Sequence, residues 1–222
     1  MSTYLVTGAN RGIGLEICRQ LVARGEEVIA VCRSSSDELG SLGVEVVDGI
    51  DVSEPADAAA LAGRLSGRQI DVLINNAGIL RRDGLSEIAA STDDLLVQFR
   101  TNSIGPILVT QALLSNLHRG SKVGIVTSRM GSVTDNTSGG AYGYRMSKAA
   151  VNIAGVSLAH DLKDRGVAVA LLHPGYVRTD MTGHEGFVDA DESARGLIER
   201  MDELTLETSG GFWHANGETL PW

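Results

Sequence analysis

The chain has 222 residues, of which 43% are hydrophobic and 21% charged, and its formal net charge is −9 at pH 7. This length fits one large domain that buries about 70% of its unfolded surface. No basic stripe offsets the acidic balance, which argues against nucleic-acid binding but leaves room for a local basic pocket. No apolar stretch approaches the roughly 20 residues of a membrane span, and no signal peptide is apparent. We therefore expect a cytoplasmic protein.

Short β-branched runs alternate with helical patterns along the whole chain. Strands are predicted at residues 4–7, 27–31, 45–47, 70–74, 122–127, 167–173 and 212–214. Helices are predicted at residues 13–24, 55–65, 92–117, 142–165 and 191–204. Most strands are bare apolar runs, which is typical of strands buried on both faces of a parallel sheet. The pattern predicts an α/β, single-domain, doubly wound (Rossmann) sheet of about seven parallel strands over residues 1–222, with helices on both faces.

Cysteines and histidines give no sign of a disulfide framework or a metal site. Cys18 and Cys32 form no C-x-x-C pair, so both are expected to be small buried apolar residues. The five histidines lack the spacing of zinc-binding motifs. We therefore expect no metal.

A glycine-rich turn, T-G-A-N-R-G-I-G at residues 7–14, follows the first strand at once. Gly8 permits a tight turn, Gly12 lets the backbone approach a pyrophosphate, and Gly14 lets the helix pack closely. The start of the helix offers free N–H groups and a positive dipole end to phosphates. The spacing differs from G-x-G-x-x-G, and a glycine-rich turn without a ligand is the plainer alternative. Its place after the first strand favours nucleotide binding.

Further motifs follow in order at the ends of later strands and on the adjoining helices. They are N-N-A-G at residues 75–78, Asn102, Ser128, Y-x-x-x-K from Tyr144 to Lys148, and P-G at residues 174–175. Together with the glycine turn they resemble the short-chain dehydrogenase/reductase family over nearly the full length. The reduced length and the ending at residues 210–222 are similar to the subgroup of C-factor-like proteins and sniffer-type carbonyl reductases.

This resemblance implies a catalytic group for hydride transfer to a carbonyl. The alkoxide that forms must be protonated, and Tyr144 is the candidate acid, although a free tyrosine has a pKa near 10. Lys148 lies four residues later on the same helical face. Its charge, with that of an oxidised nicotinamide, lowers the tyrosine pKa. The resemblance further implies that Lys148 holds the nicotinamide ribose, that Ser128 hydrogen-bonds the substrate oxygen, and that Asn102 holds a water in a proton relay.

Each of these residues also has a plainer interpretation. Taken singly, Tyr144 and Lys148 could be an ordinary pair on a helix surface, and Asn102 could bond the backbone of its own helix. Their joint appearance at the carboxyl edge of the sheet, where ligands bind in open α/β folds, favours catalysis. Tyr142 is a rival acid, but Met146 occupies the place where its lysine partner would be.

The end of the second strand predicts the cofactor. An acidic residue there hydrogen-bonds the free 2′-OH of NAD, whereas an arginine accommodates the 2′-phosphate of NADP. The chain has Arg33 and no acid at that point, and Arg11 could reach the same phosphate. Each charge-assisted bond contributes about 1.5–3 kcal/mol. We therefore expect NADP(H) over NAD(H), unless both arginines are solvated surface charges.

The resemblance completes the expected cofactor site, in which Asp51 contacts the adenine amino group and Thr179 the carboxamide. The expected cofactor-binding residues are Gly8, Asn10, Arg11, Gly12, Ile13, Gly14, Arg33, Asp51, Val52, Asn76, Ala77, Gly78, Tyr144, Lys148, Pro174, Gly175, Val177 and Thr179.

The remaining expectations concern substrate and partners. Residues 131–140 and 181–190 should line the substrate pocket, and Arg81, Arg82 and Arg129 either attract an anionic substrate or are plain surface charges. The expected function is NADP(H)-dependent hydride transfer to or from a carbonyl/alcohol substrate (aldehyde, ketone or quinone). The alternative is an NADP-binding signalling or sensor protein on the same fold. The family resemblance implies a homodimer or homotetramer, built through the outer faces of residues 104–117 or 151–158.

Overall fold

One seven-stranded sheet organises residues 1–222, all of which are described by the computed structural model. Its strands are β1 (Thr3–Thr7), β2 (Glu27–Val31), β3 (Glu45–Val47), β4 (Ile70–Asn75), β5 (Leu117–Val126), β6 (Ala168–His173) and β7 (Phe212–His214). The spatial order is β3-β2-β1-β4-β5-β6-β7, and every neighbouring pair is parallel. The predicted parallel Rossmann sheet is confirmed. Its order reverses between β1 and β4, where ligands bind in folds of this kind.

Helices cover both faces of the sheet. They are α1 (Gly12–Ala23), α2 (Asp37–Gly40), α3 (Pro55–Arg64), α4 (Thr92–Phe99), α5 (Gly105–Ala112), α6 (Tyr142–Leu162) and α7 (Ala190–Glu203). Successive residues of β1 point to opposite sides, so that Val6 packs with α1 and α7 while Leu5 packs with α3, α5 and α6. None of the helices combines the length and the apolar character that a membrane crossing requires.

The single helix predicted over residues 92–117 is wrong. The chain forms α4, then a π-helical turn at Arg100–Ile104, then α5, and β5 begins already at Leu117. Pro106 lacks the N–H that would continue the α-helical ladder. Asn116 donates from Nδ2 to the Leu65 and Arg68 carbonyls at 2.6 and 2.8 Å, which fixes the chain after α5 at the start of the next strand. The apolar pattern of this segment does not reveal either break.

Candidate active site

A cleft of about 350 Å³ opens at the carboxyl ends of β1 and β4, where the strand order reverses. The predicted cofactor residues that line it are Gly8, Asn10, Arg11, Gly12, Ile13, Gly14, Arg33, Asp51, Val52, Asn76, Ala77, Gly78 and Thr179. Five other predicted cofactor residues do not line it, namely Tyr144, Lys148, Pro174, Gly175 and Val177. The predicted set therefore divides between the cleft and the adjoining end of the sheet.

The glycine turn owes its shape to close backbone contacts with the end of β4. Gly8 has a φ of +65°, and a Cβ there would lie 2.8 Å from the Ala77 Cα. A Cβ on Gly14 would lie 2.3 Å from the Gly8 carbonyl oxygen and 2.5 Å from Asn76 Nδ2. Any side chain at Gly14 would thus collide with the turn itself and not, as its motif predicts, with the strand against which the helix packs.

Asn76 fastens the glycine turn to β4. Its Nδ2 donates to the carbonyls of Thr7 at 2.9 Å and Gly8 at 3.2 Å. The Thr7 hydroxyl in turn accepts from the backbone N–H groups of Asn76 at 3.0 Å and Ala77 at 3.1 Å. These bonds leave the start of α1 facing the cleft, with no side chain capping its first turn. An uncapped helix start with glycines around it fits the phosphates of a dinucleotide.

Two exposed arginines lie at the rim of the cleft. Arg33 lies 3.7 Å from the Asp51 carboxylate, and Arg11 lies 3.8 Å from that of Asp180. Burial acts to raise the pKa of Asp51, but its hydrogen bonds from Ser53 and the charge of Arg33 outweigh burial and lower the pKa. Both guanidinium groups are about two-thirds exposed (67% and 69%), so they are available to a bound anion.

The candidate catalytic pair lies on the first turns of α6. Lys148 is buried, with 4% of its surface exposed, and its Nζ donates to the Val126 carbonyl at 2.9 Å. The Nζ also lies 5.7 Å from the centre of the Tyr144 ring. Burial lowers the pKa of Lys148 to about 8 and raises the pKa of Tyr144 to about 12, the latter opposed by the neighbouring hydroxyl of Ser128. At neutral pH the pair is therefore a neutral phenol beside an ammonium.

Ser128 lies where β5 ends and a short 3₁₀ turn, Arg129–Gly131, begins. Its side chain is buried, and its Oγ accepts a hydrogen bond from the backbone N–H of Met130 at 3.1 Å. Because this bond uses a lone pair, the hydroxyl hydrogen of Ser128 is left free to donate. The turn thus sets the position of a hydrogen-bond donor beside Tyr144.

Asn102 occupies the π-helical turn and is buried. Its Oδ1 accepts from the Ile79 N–H at 2.8 Å, while its Nδ2 donates to the Ile79 carbonyl at 2.9 Å and to Ser147 Oγ at 3.0 Å. A Cβ on Gly78 would lie 3.2 Å from Asn102 Oδ1 and 3.6 Å from Lys148 Nζ. The side-chain amide therefore holds the loop after β4 against the catalytic pair. Its role in binding a relay water stays a prediction.

The loop after β6 forms the far wall. Gly175 has a φ of +92°, and Val177 is buried and bridges to Val188. Pro174 accepts from Ser193 Oγ at 2.7 Å, which ties this loop to α7. Thr179 caps the next turn and reaches the cleft, with its Cγ2 3.5 Å from where a Gly12 Cβ would lie.

Several cleft residues were not among the cofactor-binding residues predicted from the sequence. They are Val31, Cys32, Ile50, Ile79, Thr101, Arg178, Asp180, Met181, His184 and Ala190. Val31, Cys32 and Ile50 lie beside predicted residues at the ends of strands. Met181, His184 and Ala190 fall within residues 181–190, which were predicted to line the substrate pocket.

His173 packs at the end of β6 and meets the His214 ring edge-on, with ring centres 4.8 Å apart. Burial, followed by the positive charges nearby, lowers the pKa of His173 to about 3, so the ring is neutral at physiological pH. His173 therefore packs at the strand end and is not protonated to act as an acid.

Comparison with known proteins identifies the class that this fold and cleft define. The family profile described as short chain dehydrogenase matches residues 2–186. The chain belongs to the short-chain dehydrogenase/reductase family of oxidoreductases.

Two curated relatives and one solved structure extend this assignment. The chain is 45% identical to 1-hydroxy-2-glutathionyl-2-methyl-3-butene dehydrogenase from Rhodococcus sp. (strain AD45), over 100% of both chains. It is 44% identical to the C-signal protein of Myxococcus xanthus, over 73% of this chain and 99% of that one. The NADPH-bound carbonyl reductase from chicken fatty liver is 31% identical with a TM-score of 0.90, covering 100% of this chain and 99% of that one. The predicted similarity to the carbonyl reductase-like subgroup is confirmed.

Proposed function

We propose that this protein is an NADP(H)-dependent oxidoreductase that transfers hydride between the nicotinamide and a carbonyl/alcohol substrate. The observation that carries the proposal is the group of Tyr144, Lys148 and Ser128 beside the nucleotide cleft. A buried ammonium beside a partly buried phenol is expensive to maintain without a function, because burial penalises the charged form of Lys148.

The chemistry divides between the cofactor and the chain. When bound, NADPH supplies the hydride that reduces the carbonyl carbon. Ser128 donates a hydrogen bond to the substrate oxygen, and Tyr144 delivers its hydroxyl proton to that oxygen as negative charge develops on it. Lys148, whose Nζ lies 5.7 Å from the centre of the Tyr144 ring, stabilises the phenolate that remains.

The protonation state favours reduction at neutral pH. With its pKa raised to about 12, Tyr144 carries its proton and can act as an acid. Alcohol oxidation requires the phenolate instead, and is therefore expected to speed up as the pH rises. A pH profile of both directions tests this, and equal profiles would contradict it.

The preference for NADP(H) over NAD(H) rests on Arg33 and Arg11. Both are exposed at the rim of the cleft and are engaged only by ion pairs longer than 3.5 Å. The NADPH-bound carbonyl reductase supports the same preference by similarity. Asp51, which lies beside Arg33, is placed to accept a hydrogen bond from the adenine amino group.

The Rhodococcus relative guides the choice of first substrates. Its name describes an alcohol that carries a glutathionyl group, and its similarity to this chain extends over both full lengths. We therefore expect 1-hydroxy-2-glutathionyl-2-methyl-3-butene, the corresponding aldehyde, and simple aldehydes, ketones and quinones to form a suitable panel. The same alcohol without the glutathionyl group is the matched control.

The competing function is a signalling or sensor role without turnover, and the similarity to the C-signal protein is the observation in its favour. One experiment separates the two. Absorbance measures turnover of NADPH and NADP⁺ with the panel, and titration of the same preparation measures cofactor binding. Turnover of one panel member supports the enzyme, whereas tight binding without turnover of any member favours the sensor. Equal use of NADH and NADPH would contradict only the roles proposed for Arg33 and Arg11, and would leave the proposed hydride transfer standing.

We also propose that two copies associate through the outer faces of α4 and α6. Leu96, Phe99 and Met146 are 57%, 39% and 55% exposed and line a shallow apolar groove, and Ile153 on α6 is 68% exposed. Light scattering of the purified protein is expected to give twice the chain mass or a larger even multiple. A monomer at micromolar concentration would contradict this.

A further inference from the structure

The last segment of the sequence, residues 212–222, returns along the edge of the sheet to the turn that carries Ser128. After β7 the chain reverses direction, and Thr219 forms an antiparallel bridge with Trp213. The reversal is closed by the His214 N–H, which donates to the Glu218 carbonyl at 2.8 Å, and by the Leu220 N–H, which donates to the Phe212 carbonyl at 2.8 Å. Residues 212–222 therefore form a defined hairpin.

Apolar packing holds this hairpin to the body of the protein. Leu220 is buried against Leu171 and Phe212. The rings of Phe212 and Trp222 are stacked, with their centres 5.3 Å apart. The side chains that follow β7 are thus fixed in space by burial of the residues around them.

Two contacts join the hairpin to the segment that begins at Ser128. Arg129 donates from Nη2 to Glu218 Oε2 at 2.7 Å, and the Thr134 N–H donates to the Trp222 carbonyl at 3.0 Å. The Nε of Arg129 lies 3.2 Å from Asp135 Oδ2 but makes no hydrogen bond. The contact to Glu218 is therefore the only hydrogen bond between Arg129 and an acidic side chain.

The same hairpin reaches the other wall of the site. A Cβ on Gly175 would lie 3.6 Å from the Cε1 and Nε2 atoms of His214. The Ala215 N–H also donates to the His173 carbonyl at 2.8 Å, just before the Pro174–Gly175 turn. One short segment thus contacts both the turn that orients Ser128 and the loop that would flank the nicotinamide.

We propose that Glu218 is a positioning residue for the hydride-transfer reaction: through Arg129 it fixes the 3₁₀ turn whose Met130 N–H holds the Ser128 hydroxyl. This inference rests on the proposed function. Arg129 is therefore not a plain surface charge, because its Nη2 is hydrogen-bonded to Glu218 within the protein. Without Glu218 the turn samples positions in which the Ser128 donor misses the substrate oxygen.

The test compares Glu218→Gln with Asp202→Asn, which removes the charge of a similar exposed ion pair with Arg24 (2.9 Å). Exposed ion pairs contribute up to about 1 kcal/mol, so we expect Glu218→Gln to lower kcat/KM by about 3- to 5-fold. The midpoint of thermal unfolding should fall by no more than about 2–4 °C, as in Asp202→Asn, and the NADPH Kd should stay at its wild-type value. Arg129→Gln should have the same effect, and the double variant should lose no more than either single one. Asp202→Asn should leave kcat/KM unchanged.

Amide hydrogen exchange supplies a readout that does not need turnover. Glu218→Gln should speed exchange at Met130 and Thr134 by about 3- to 5-fold, and leave β1 unchanged. Unchanged exchange at these two amides overturns the proposal whether or not the protein is an active enzyme. Faster exchange with wild-type kcat/KM also overturns it, since the turn would then move without effect on the reaction. Absence of turnover in the wild-type protein would instead count against the proposed function.

Discussion

The nucleotide cleft and the proposed catalytic end of the sheet, formed by Ser128, Tyr144 and Lys148, differ in how they hold charged groups. The cleft is shaped by backbone and glycine, and its charged groups, Arg33 among them, remain exposed. The catalytic end buries its charge, with Lys148 at 4% exposure and the pKa values of Lys148 and Tyr144 moved in opposite directions by burial. A cleft for the dianionic pyrophosphate of a dinucleotide gains from pre-formed N–H donors. Proton transfer gains instead from buried groups whose charge is stabilised most in the transition state.

The two regions should therefore respond differently to substitution. Changes at the catalytic end are expected to remove turnover while leaving, or even raising, stability. Changes in the glycine turn are expected to lower stability and cofactor affinity together.

Lys148→Met should lower turnover by at least about 100-fold and yet stabilise the cofactor-free protein. In the folded protein the pKa of Lys148 is lowered to about 8, from 10.5 in the unfolded chain. Between pH 8 and 10.5 the unfolded chain therefore binds more protons than the folded protein, and the wild-type free energy of unfolding rises with pH. Below pH 8 Lys148 is protonated in both states, so the full cost of burying the ammonium lowers the free energy of unfolding. Removing it should raise the free energy of unfolding at pH 7 by about 1–3 kcal/mol, after allowance for the lost bond to Val126.

Chemical denaturation at several pH values measures this effect. The two proteins should approach equal stability as the pH rises from about 8 towards 10.5. The exposed Lys163→Met is the control, with a change of less than about 1 kcal/mol. A Met variant that is less stable at pH 7, or a difference that does not vary with pH, would show that burial does not penalise Lys148.

Gly14→Ala should lower the free energy of unfolding by about 1–3 kcal/mol and weaken NADPH binding by at least about 10-fold. The added Cβ would lie 2.3 Å from the Gly8 carbonyl oxygen, which belongs to the turn that faces the cleft, and 2.5 Å from Asn76 Nδ2, which fastens that turn to β4. Gly63→Ala in α3 meets nothing within 4 Å and should instead stabilise by about 0.5–1 kcal/mol. Equal behaviour of the two variants in denaturation and cofactor titration would refute the steric argument.

Arg33→Ala should weaken NADPH binding by about 10-fold, the loss of one charge-assisted hydrogen bond, and leave the NADH Kd unchanged. Arg19→Ala, whose side chain pairs with Glu16 and does not line the cleft, is the matched control. Fluorescence titration with both cofactors measures the four constants. A parallel loss of NADPH and NADH affinity would mean that Arg33 does not read the 2′-phosphate.

The cleft could be predicted from the sequence more fully than the catalytic end. Gly8 and Gly14 act through backbone contacts within a few residues of a strand end. Strand ends can be predicted from the sequence because the apolar run of the strand stops there. Even there, Asp180 was missed, although the segment that follows it, residues 181–190, was predicted to line the substrate pocket.

At the catalytic end, spacing places Tyr144 and Lys148 on one helical face but does not reveal how they are enclosed. Pro106 is a local signal for the π-helical turn that carries Asn102, but the contact of Asn102 with Ile79, far away in the chain, could not be predicted from the sequence. The link from Ser128 to Glu218 through Arg129 likewise joins residues 90 positions apart. Such partners depend on the path of the chain, and no pattern within a single element encodes them.

The most direct test of the account compares Tyr144→Phe with Tyr142→Phe in one assay of NADPH binding and carbonyl reduction. We predict that both variants bind NADPH with a Kd within about twofold of wild type, and that Tyr144→Phe alone loses turnover by about 100-fold or more, the low end of a general acid's contribution. Wild-type turnover in Tyr144→Phe, or an equal loss in Tyr142→Phe, would contradict the assignment of Tyr144 as the proton donor.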